Sequence, residues 1–152
     1  MKKKATIIIP AYNPNTVLIE LIENLKEYGY QDIVVVDDGS KKKDIFNMLD
    51  VTVLRNKKNL GKGETLRKGF AYCINQDKEK IITVDADGQH LVEDIDKVYD
   101  ELNNYPNSLI LGSRVYENGM TPFKNKIGNK IIDFLVNRRK KTNLKDTQTG
   151  LR

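Results

Sequence analysis

Short apolar runs alternate with segments of helical spacing along nearly the whole chain, and this alternation restricts the fold more than any other feature. Runs rich in Ile and Val are typical of buried strands, whereas apolar residues that recur every three to four positions are typical of amphipathic helices. The predicted strands are residues 5–9, 33–36, 51–54, 81–84 and 109–111. The predicted helices are residues 14–28, 45–49, 64–74, 92–102 and 123–136. Such βαβ units predict an α/β, Rossmann-like fold with a mostly parallel sheet and helices on both faces.

Two details of this pattern can be checked directly against a structure. Pro10 is predicted to end the first strand, because proline cannot donate a hydrogen bond to the neighbouring strand. The helix that follows Gly63 is predicted to face the core with its larger apolar residues. These are Leu66, Phe70, Cys73 and Ile74.

Length and composition are those of one ordinary domain, residues 1–152, with a basic net charge of +5. That charge favours anionic partners such as nucleotides, phospholipid surfaces or nucleic acid. The single cysteine, Cys73, excludes an internal disulfide and a cysteine-based zinc cluster. No apolar run is long enough for a membrane span, so we expect a cytoplasmic protein. Residues 147–152 resemble the middle of a motif, and we therefore expect the chain to be truncated at its C-terminus.

The unusual residues follow the predicted strands, at the point where each strand ends. They are residues 10–13, 37–40, 85–87 and 112–114. In open α/β sheets, ligands bind outside the carboxyl ends of the strands. The sequence therefore predicts that these four segments share one edge of the sheet and one ligand site.

A pair of carboxylates, Asp85 and Asp87, follows the buried strand at residues 81–84. Mg²⁺ and Mn²⁺ prefer oxygen ligands and are bound by one or two carboxylates, with water and phosphate oxygens completing the shell. The alternative is an ordinary polar turn, since Asp-Gly is a common turn dipeptide. An EF-hand calcium loop is not expected, because His90 stands where its glycine is needed and Asp96 where its bidentate glutamate is needed.

The segment Gly61-Lys62-Gly63 is either a flexible helix start or a phosphate contact made through Lys62. It is not a P-loop, because Glu64 follows Gly63, and it is not a dinucleotide fingerprint, because Leu66 stands in place of the third glycine. A carboxylate of Asp37 or Asp38 either belongs only to a turn or accepts hydrogen bonds from a ribose or a base.

Three further polar residues and one basic segment each allow a structural and a functional interpretation. His90 is more often a structural hydrogen-bonding residue than a base or ligand. Arg114 and Arg152 are either solvated or bidentate donors to phosphate. The basic segment 124–141 is either a core helix with a solvated face or a helix at a membrane surface.

Taken together, the motifs resemble those of the family 2 glycosyltransferases, which have the GT-A fold. They are Ile-Ile-Pro-Ala-Tyr-Asn at residues 8–13, Val-Val-Asp-Asp-Gly-Ser at 35–40, Asn-Leu-Gly-Lys-Gly at 59–63, Asp-Ala-Asp-Gly-Gln-His at 85–90 and Gly-Ser-Arg at 112–114. The final Asp-Thr-Gln-Thr-Gly-Leu-Arg at 146–152 is similar to that of dolichyl- or polyprenyl-phosphate sugar synthases. Two positions depart from the family pattern, namely Pro14 in place of a glutamate and Gly88 in place of a leucine.

The resemblance implies an inverting transfer of a sugar from a UDP- or GDP-sugar to a lipid phosphate or a glycan, assisted by Mg²⁺ or Mn²⁺. It also implies peripheral contact with the inner face of a membrane, and no nucleic-acid partner. The nucleotide-binding residues it implies are Pro10, Ala11, Tyr12, Asn13, Asp37, Asp38, Gly61, Lys62, Asp85 and Ala86. The metal ligands are Asp85, Asp87 and Gln89, and the catalytic residues are Asp87, Arg114 and Arg152.

Two other functions remain open from the residues. Asp-x-Asp-Gly also begins the sites of phosphohydrolases of the haloacid-dehalogenase type, although there the motif normally follows the first strand and has Thr after the glycine. A non-catalytic nucleotide-binding module is the other alternative, since the chain is expected to be truncated.

Overall fold

The computed structural model describes residues 2–112 and Leu151 of the chain. Strands and helices alternate in it as the sequence predicts. In chain order the elements are β1 (Lys3–Ala11), α1 (Val17–Glu27), β2 (Tyr30–Asp37), α2 (Asp44–Asn47), β3 (Thr52–Arg55), α3 (Lys62–Asn75), β4 (Ile81–Thr83) and α4 (Val92–Asn104).

The four strands form one sheet in the order β3-β2-β1-β4, and every pairing is parallel. Ile8 of β1 lies opposite Val34 of β2 on one side and Thr83 of β4 on the other. Because all strands run in the same direction, the ends of β1, β2 and β4 meet at one edge of the sheet. The predicted α/β fold with a parallel sheet is confirmed.

Helices cover both faces of the sheet, because side chains alternate between the two faces along each strand. Ile7 and Ile9 of β1 belong to a core that α1 and α4 cover, whereas Ile8 belongs to a smaller core that contains Cys73 of α3. All three isoleucines are fully buried. The near-continuous apolar sequence of β1 is explained by this burial on both faces.

Helix α3 approaches the sheet through small residues, which corrects the prediction made for its inner face. Its buried residues are Thr65, Gly69 and Cys73, each one helical turn from the next. Phe70 and Ile74 are 38% and 68% exposed. The prediction is confirmed for Cys73 and for Leu66, which packs against the smaller core, and is wrong for Phe70 and Ile74. It weighted the size of the apolar residues, whereas the close approach of helix and sheet at Gly69 favours a stripe of small side chains.

Strand β1 continues through Pro10 to Ala11, so the prediction that Pro10 ends the strand was wrong. The backbone N–H of Thr6 donates to the carbonyl of Lys80, and the carbonyl of Ile8 accepts from the backbone N–H of Val84. The backbone polar groups of Thr6 and Ile8 therefore point toward β4. Pro10, two residues further, directs its nitrogen to that same side. Its missing donor is tolerated there because β4 ends at Thr83.

The strand predicted at residues 109–111 is not formed. These residues have no regular secondary structure, and Leu109 is largely exposed. The backbone N–H of Gly112 instead donates to the carbonyl of Leu151 over 3.1 Å. The helix predicted at residues 123–136 lies outside the described residues. None of the helices in the described part is both long enough and apolar enough to cross a membrane.

The close approach of α3 predicts opposite effects of alanine at two glycines of the same helix. A Cβ atom at Gly69 would lie 2.8 Å from Cγ2 of Ile8, whereas a Cβ atom at Gly63 would meet nothing within 4 Å. Gly69→Ala should lower the free energy of unfolding because overpacking costs about 1–3 kcal/mol. Gly63→Ala should raise it by up to about 1 kcal/mol, because alanine favours the helix.

Urea denaturation of both variants measures these changes. Equal stabilisation by the two substitutions would show that α3 does not contact the sheet at Gly69 as described.

Candidate functional site

A pocket of about 460 Å³ opens at the edge of the sheet where β1, β2 and β4 end. Residues that follow these strands form its walls, together with the first turns of α3. The lining residues are Pro10, Ala11, Tyr12, Asn13, Pro14, Asn15, Asp38, Asn59, Gly61, Lys62, Thr65, Asp85, Ala86 and Asp87. Three of the four predicted strand ends therefore share one site, as the parallel topology requires.

Of the residues predicted to bind a nucleotide, all except Asp37 line this pocket. The predictions did not include Pro14, Asn15, Asn59 and Thr65, which also line it. Thr65 lies one helical turn after Gly61, so a helix that begins at Lys62 directs both residues toward one side. The sequence prediction placed this helix start two residues too late and thereby missed Thr65.

Asp37 lies beneath the pocket rather than in its lining, and it is fully buried. Its Oδ1 accepts a hydrogen bond from the backbone N–H of Ser40 at 2.8 Å. Its Oδ2 lies 2.9 Å from Nη1 of Arg55, and Nη2 of the same arginine donates to the carbonyl of Ser40 at 2.7 Å. In this arrangement Asp37 stabilises the turn at residues 37–40.

Asp38 holds the loop before α3 against the end of β2. Its Oδ1 accepts from Nδ2 of Asn56 and from the backbone N–H of Leu60, both at 2.9 Å, and its Oδ2 accepts from the backbone N–H of Gly61 at 2.8 Å. Burial of the carboxylate raises its pKa, but the hydrogen bonds from Asn56, Leu60, Thr65 and Gly61 outweigh burial and hold the pKa of Asp38 below its ordinary value.

Asn13 joins the end of β1 to the turn after β2. Its backbone N–H donates to Oγ of Ser40 at 2.8 Å, and its Oδ1 accepts from the backbone N–H of Lys41 at 3.0 Å. Asn13 has a φ of 47°, in the left-handed region that asparagine tolerates better than most residues. This link fixes one wall of the pocket relative to the other.

Charged groups of both signs meet at the opposite wall. Nζ of Lys62, the first residue of α3, lies 2.5 Å from Oδ1 of Asp85. Asp87 accepts a hydrogen bond from the backbone N–H of Gln89 at 3.1 Å, which is a turn of the kind that aspartate commonly forms. The side chain of Gln89 is not in the pocket lining. In this arrangement Lys62 supplies the positive charge beside the two carboxylates.

Gly88 shapes the turn that carries these carboxylates. Its φ is +71°, and a Cβ atom built on it would lie 2.5 Å from Cγ1 of Val17. A leucine with the same backbone would be strained and would clash with α1. Glycine at this position therefore allows the turn to pack directly on that helix.

The carboxylates of the pocket suit a divalent cation that takes most of its ligands from water and from substrate phosphates. Asp85 and Asp87 supply carboxylate oxygens, which Mg²⁺ and Mn²⁺ favour. Within residues 2–112 and Leu151, no group of three or more His, Cys, Asp or Glu side chains is arranged to hold a metal ion. The two carboxylates could hold such a cation together with water and substrate phosphates, as in many Mg²⁺ sites.

The other candidates lie away from the pocket or outside the described residues. His90 lines a separate groove between α1 and α4, together with Val17, Tyr28 and Glu93. His90 is thus not among the residues that line the main pocket. Arg114 and Arg152 lie outside the described residues, and their predicted roles stay predictions.

Comparison with known proteins identifies the family. The model of Glycosyl transferase family 2 matches residues 6–152, nearly the whole chain. The chain belongs to this family. With the parallel sheet, membership in family 2 confirms the predicted GT-A fold of this glycosyltransferase.

Several relatives of this family 2 glycosyltransferase match over most of its length. An uncharacterised protein of Methanocaldococcus jannaschii is 34% identical over 99% of the chain and 64% of its own length. UDP-N-acetylglucosamine--dolichyl-phosphate N-acetylglucosaminyltransferase of Methanococcus voltae is 29% identical over 96% of the chain and 67% of its own length. Human dolichyl-phosphate beta-glucosyltransferase is 29% identical over 75% of the chain and 42% of its own length. The chain thus spans about two thirds or less of these relatives.

Solved structures share the fold at low sequence identity. CMP:2-keto-3-deoxy-manno-octonic acid synthetase in complex with CTP superposes with a TM-score of 0.54 at 13% identity, over 69% of the chain and 49% of the synthetase. A cytidylyltransferase of Leptospira borgpetersenii gives 0.51 at 16% identity, over 69% of the chain and 51% of that enzyme. The glycosyltransferase therefore shares its α/β architecture with these enzymes.

The hydrogen bonds of Asp38 predict an acid-dependent loss of stability. Because its pKa is lowered in the folded protein, ionised Asp38 stabilises the fold fully above its ordinary pKa of 3.8, and this contribution is lost as the pH falls through the lower folded-state pKa. Asp38→Asn should cost about 2–4 kcal/mol at neutral pH, because an amide leaves the N–H groups of Leu60 and Gly61 without their charged acceptor.

Urea denaturation between neutral pH and the acid limb measures both effects. The matched control is Asp50→Asn, which removes an exposed carboxylate paired with Lys26 and should change stability by less than about 1 kcal/mol. If Asp38→Asn were as mild as the control, Asp38 would not hold the loop.

Proposed function

We propose that the chain carries the donor-binding site of a transferase that moves a sugar from a UDP- or GDP-sugar onto a lipid phosphate with inversion. The observation that carries the proposal is the pocket at the carboxyl edge of the sheet, where four of the characteristic motifs meet. A lipid-phosphate acceptor is supported by the names of the relatives from Methanococcus voltae and human, both of which act on dolichyl phosphate.

The nucleoside would bind between residues 10–13 and the loop that Asp38 holds. Tyr12 is half-exposed at this wall and offers an aromatic face. Asn13 and Asn59 add amide groups that can donate to and accept from a base or a ribose. Hydrogen bonds of Asn13 and Asp38 tie this wall to the neighbouring turn and loop, which supports a rigid site.

The diphosphate would bind beside Lys62, Asp85 and Asp87. When the bond to the sugar breaks, negative charge develops on the departing diphosphate, and fixed positive charge near it lowers the barrier. Lys62 would supply such a charge from the first turn of α3. Mg²⁺ or Mn²⁺ on Asp85 and Asp87, when bound, would add Lewis-acid stabilisation of the same leaving group.

The acceptor determines whether a base is required. A lipid phosphate is already anionic and can attack without losing a proton to the protein, whereas a glycan hydroxyl requires a carboxylate base. Arg114 and Arg152 would hold phosphate oxygens of the donor or acceptor, as the resemblance to the family implies.

A donor and acceptor panel tests the proposal. The protein is incubated with radiolabelled UDP-N-acetylglucosamine, UDP-glucose or GDP-mannose and with polyprenyl phosphate, with and without Mn²⁺. We expect metal-dependent formation of a labelled lipid, and donor hydrolysis at a lower rate when the lipid is omitted. Phosphate release from p-nitrophenyl phosphate with no sugar transfer would favour the phosphohydrolase alternative, and nucleotide binding without turnover would favour a binding module.

Two substitutions separate the roles of the charged residues. Lys62→Gln should weaken UDP or GDP binding about tenfold or more, because a charged hydrogen bond to phosphate is lost. Asp87→Asn should lower metal-dependent transfer about a hundredfold while nucleotide binding without metal changes little. Calorimetry and the transfer assay measure these effects.

Lys97→Gln is the matched control for Lys62→Gln, since Lys97 lies on α4 and pairs with Asp94 at the surface. Unchanged nucleotide affinity in Lys62→Gln would remove Lys62 from the proposed site.

A further inference from the structure

Five lysines lie beside the pocket on two loops of the same sheet edge. They form two consecutive runs, at positions 41–43 and 57–58, and all five side chains are exposed. We refer to this group as the lysine rim. It consists of Lys41, Lys42, Lys43, Lys57 and Lys58.

The two loops of the lysine rim are in direct contact. A Cβ atom built on Gly39 would lie 2.5 Å from the backbone carbon of Lys58, so the turn after β2 packs tightly on the second loop. Lys43, one residue of the first loop, and Lys57 of the second line the same cleft, together with Arg55. The five charges therefore form a single surface rather than two separate ones.

The charge of the lysine rim is not neutralised by neighbours. Within the described part of the chain, none of the five lysines forms an ion pair with an acidic residue. Asp44 is the only acidic residue in segments 40–47 and 55–61. Arg55 is already paired with Asp37, which leaves the lysines as the net charge of this surface.

The lysine rim borders the mouth of the pocket and includes apolar neighbours. The backbone N–H of Lys41 donates to Oδ1 of Asn13, and Lys58 directly precedes Asn59. Asn13 and Asn59 both line the pocket. Tyr12 and Leu60 are 48% and 47% exposed at the same edge. Lysines mixed with exposed aromatic and aliphatic side chains are typical of surfaces that bind anionic membranes.

We propose that the lysine rim is the surface by which this protein docks on an anionic phospholipid membrane, with the pocket mouth directed toward the lipid headgroups. The inference rests on the proposed function, because a lipid-phosphate acceptor is held at the membrane surface and must reach the sugar in the pocket. Positive charge at the rim attracts anionic headgroups, while the exposed side chain of Leu60 enters the headgroup region. The charge of the rim also concentrates the anionic acceptor beside the pocket.

Vesicle co-sedimentation of the full chain tests the docking surface. Wild-type protein should bind vesicles of phosphatidylcholine and phosphatidylglycerol, bind phosphatidylcholine alone weakly, and dissociate as salt is raised from about 0.05 to about 0.5 M. The variant Lys42→Gln/Lys43→Gln/Lys57→Gln should bind the anionic vesicles about a hundredfold more weakly, since each lysine near such a surface contributes about fivefold.

The control is Lys2→Gln/Lys4→Gln/Lys97→Gln, which removes the same charge from exposed lysines away from the pocket mouth. The control should bind vesicles nearly as well as the wild type. Circular dichroism and UDP or GDP binding report whether the rim variant keeps its fold and its pocket. Equal vesicle affinity of the two variants would overturn the proposal, whatever the outcome of the transfer assay.

Competition with single-stranded RNA is the second arm of the test. The proposal predicts that RNA displaces the protein from anionic vesicles only weakly. RNA binding that is tighter than vesicle binding, and that is lost in the rim variant alone, would assign the surface to nucleic acid and overturn the proposal.

Discussion

The carboxylate of Asp38 is the interaction on which the site depends most. It is 4% exposed at the end of β2, and it accepts the backbone N–H groups of Leu60 and Gly61 from a loop distant in sequence. Those bonds set the position at which α3 begins and thus where Lys62 meets Asp85. An asparagine at this position would keep one acceptor oxygen and turn an NH₂ group toward the other N–H donor, so the position of the loop and the charge of this residue are linked.

The parallel sheet explains why distant parts of the sequence form one pocket. Strands β1, β2 and β4 are adjacent and run in the same direction, so their polar termini lie side by side. The helices on both faces contribute differently, because α1 and α4 cover the larger core and α3 reaches the sheet through Gly69. Membership in Glycosyl transferase family 2 motivates the proposal that this edge is a sugar-transfer site.

Much of the fold and site could be predicted from the sequence, because strand and helix periodicity fix the order of elements and parallel strands bring their ends together. The errors arose where three-dimensional context determined the outcome. Pro10 remains in β1 because its neighbour β4 has already ended, and Thr65 faces the pocket because α3 begins at Lys62. The ion pair between Asp37 and Arg55 of β3 could not be identified by local pattern, and the nucleotide-binding role predicted for Asp37 stays a prediction.

The central claim is that this pocket binds the nucleotide part of a sugar donor. A crystal structure of the protein with UDP or GDP and Mn²⁺ tests it most directly. The account predicts the base and ribose between residues 10–13 and the loop at Asn59 and Gly61, with the diphosphate and Mn²⁺ beside Lys62, Asp85 and Asp87. A nucleotide bound elsewhere on the protein, with this pocket empty at saturating concentration, would contradict it.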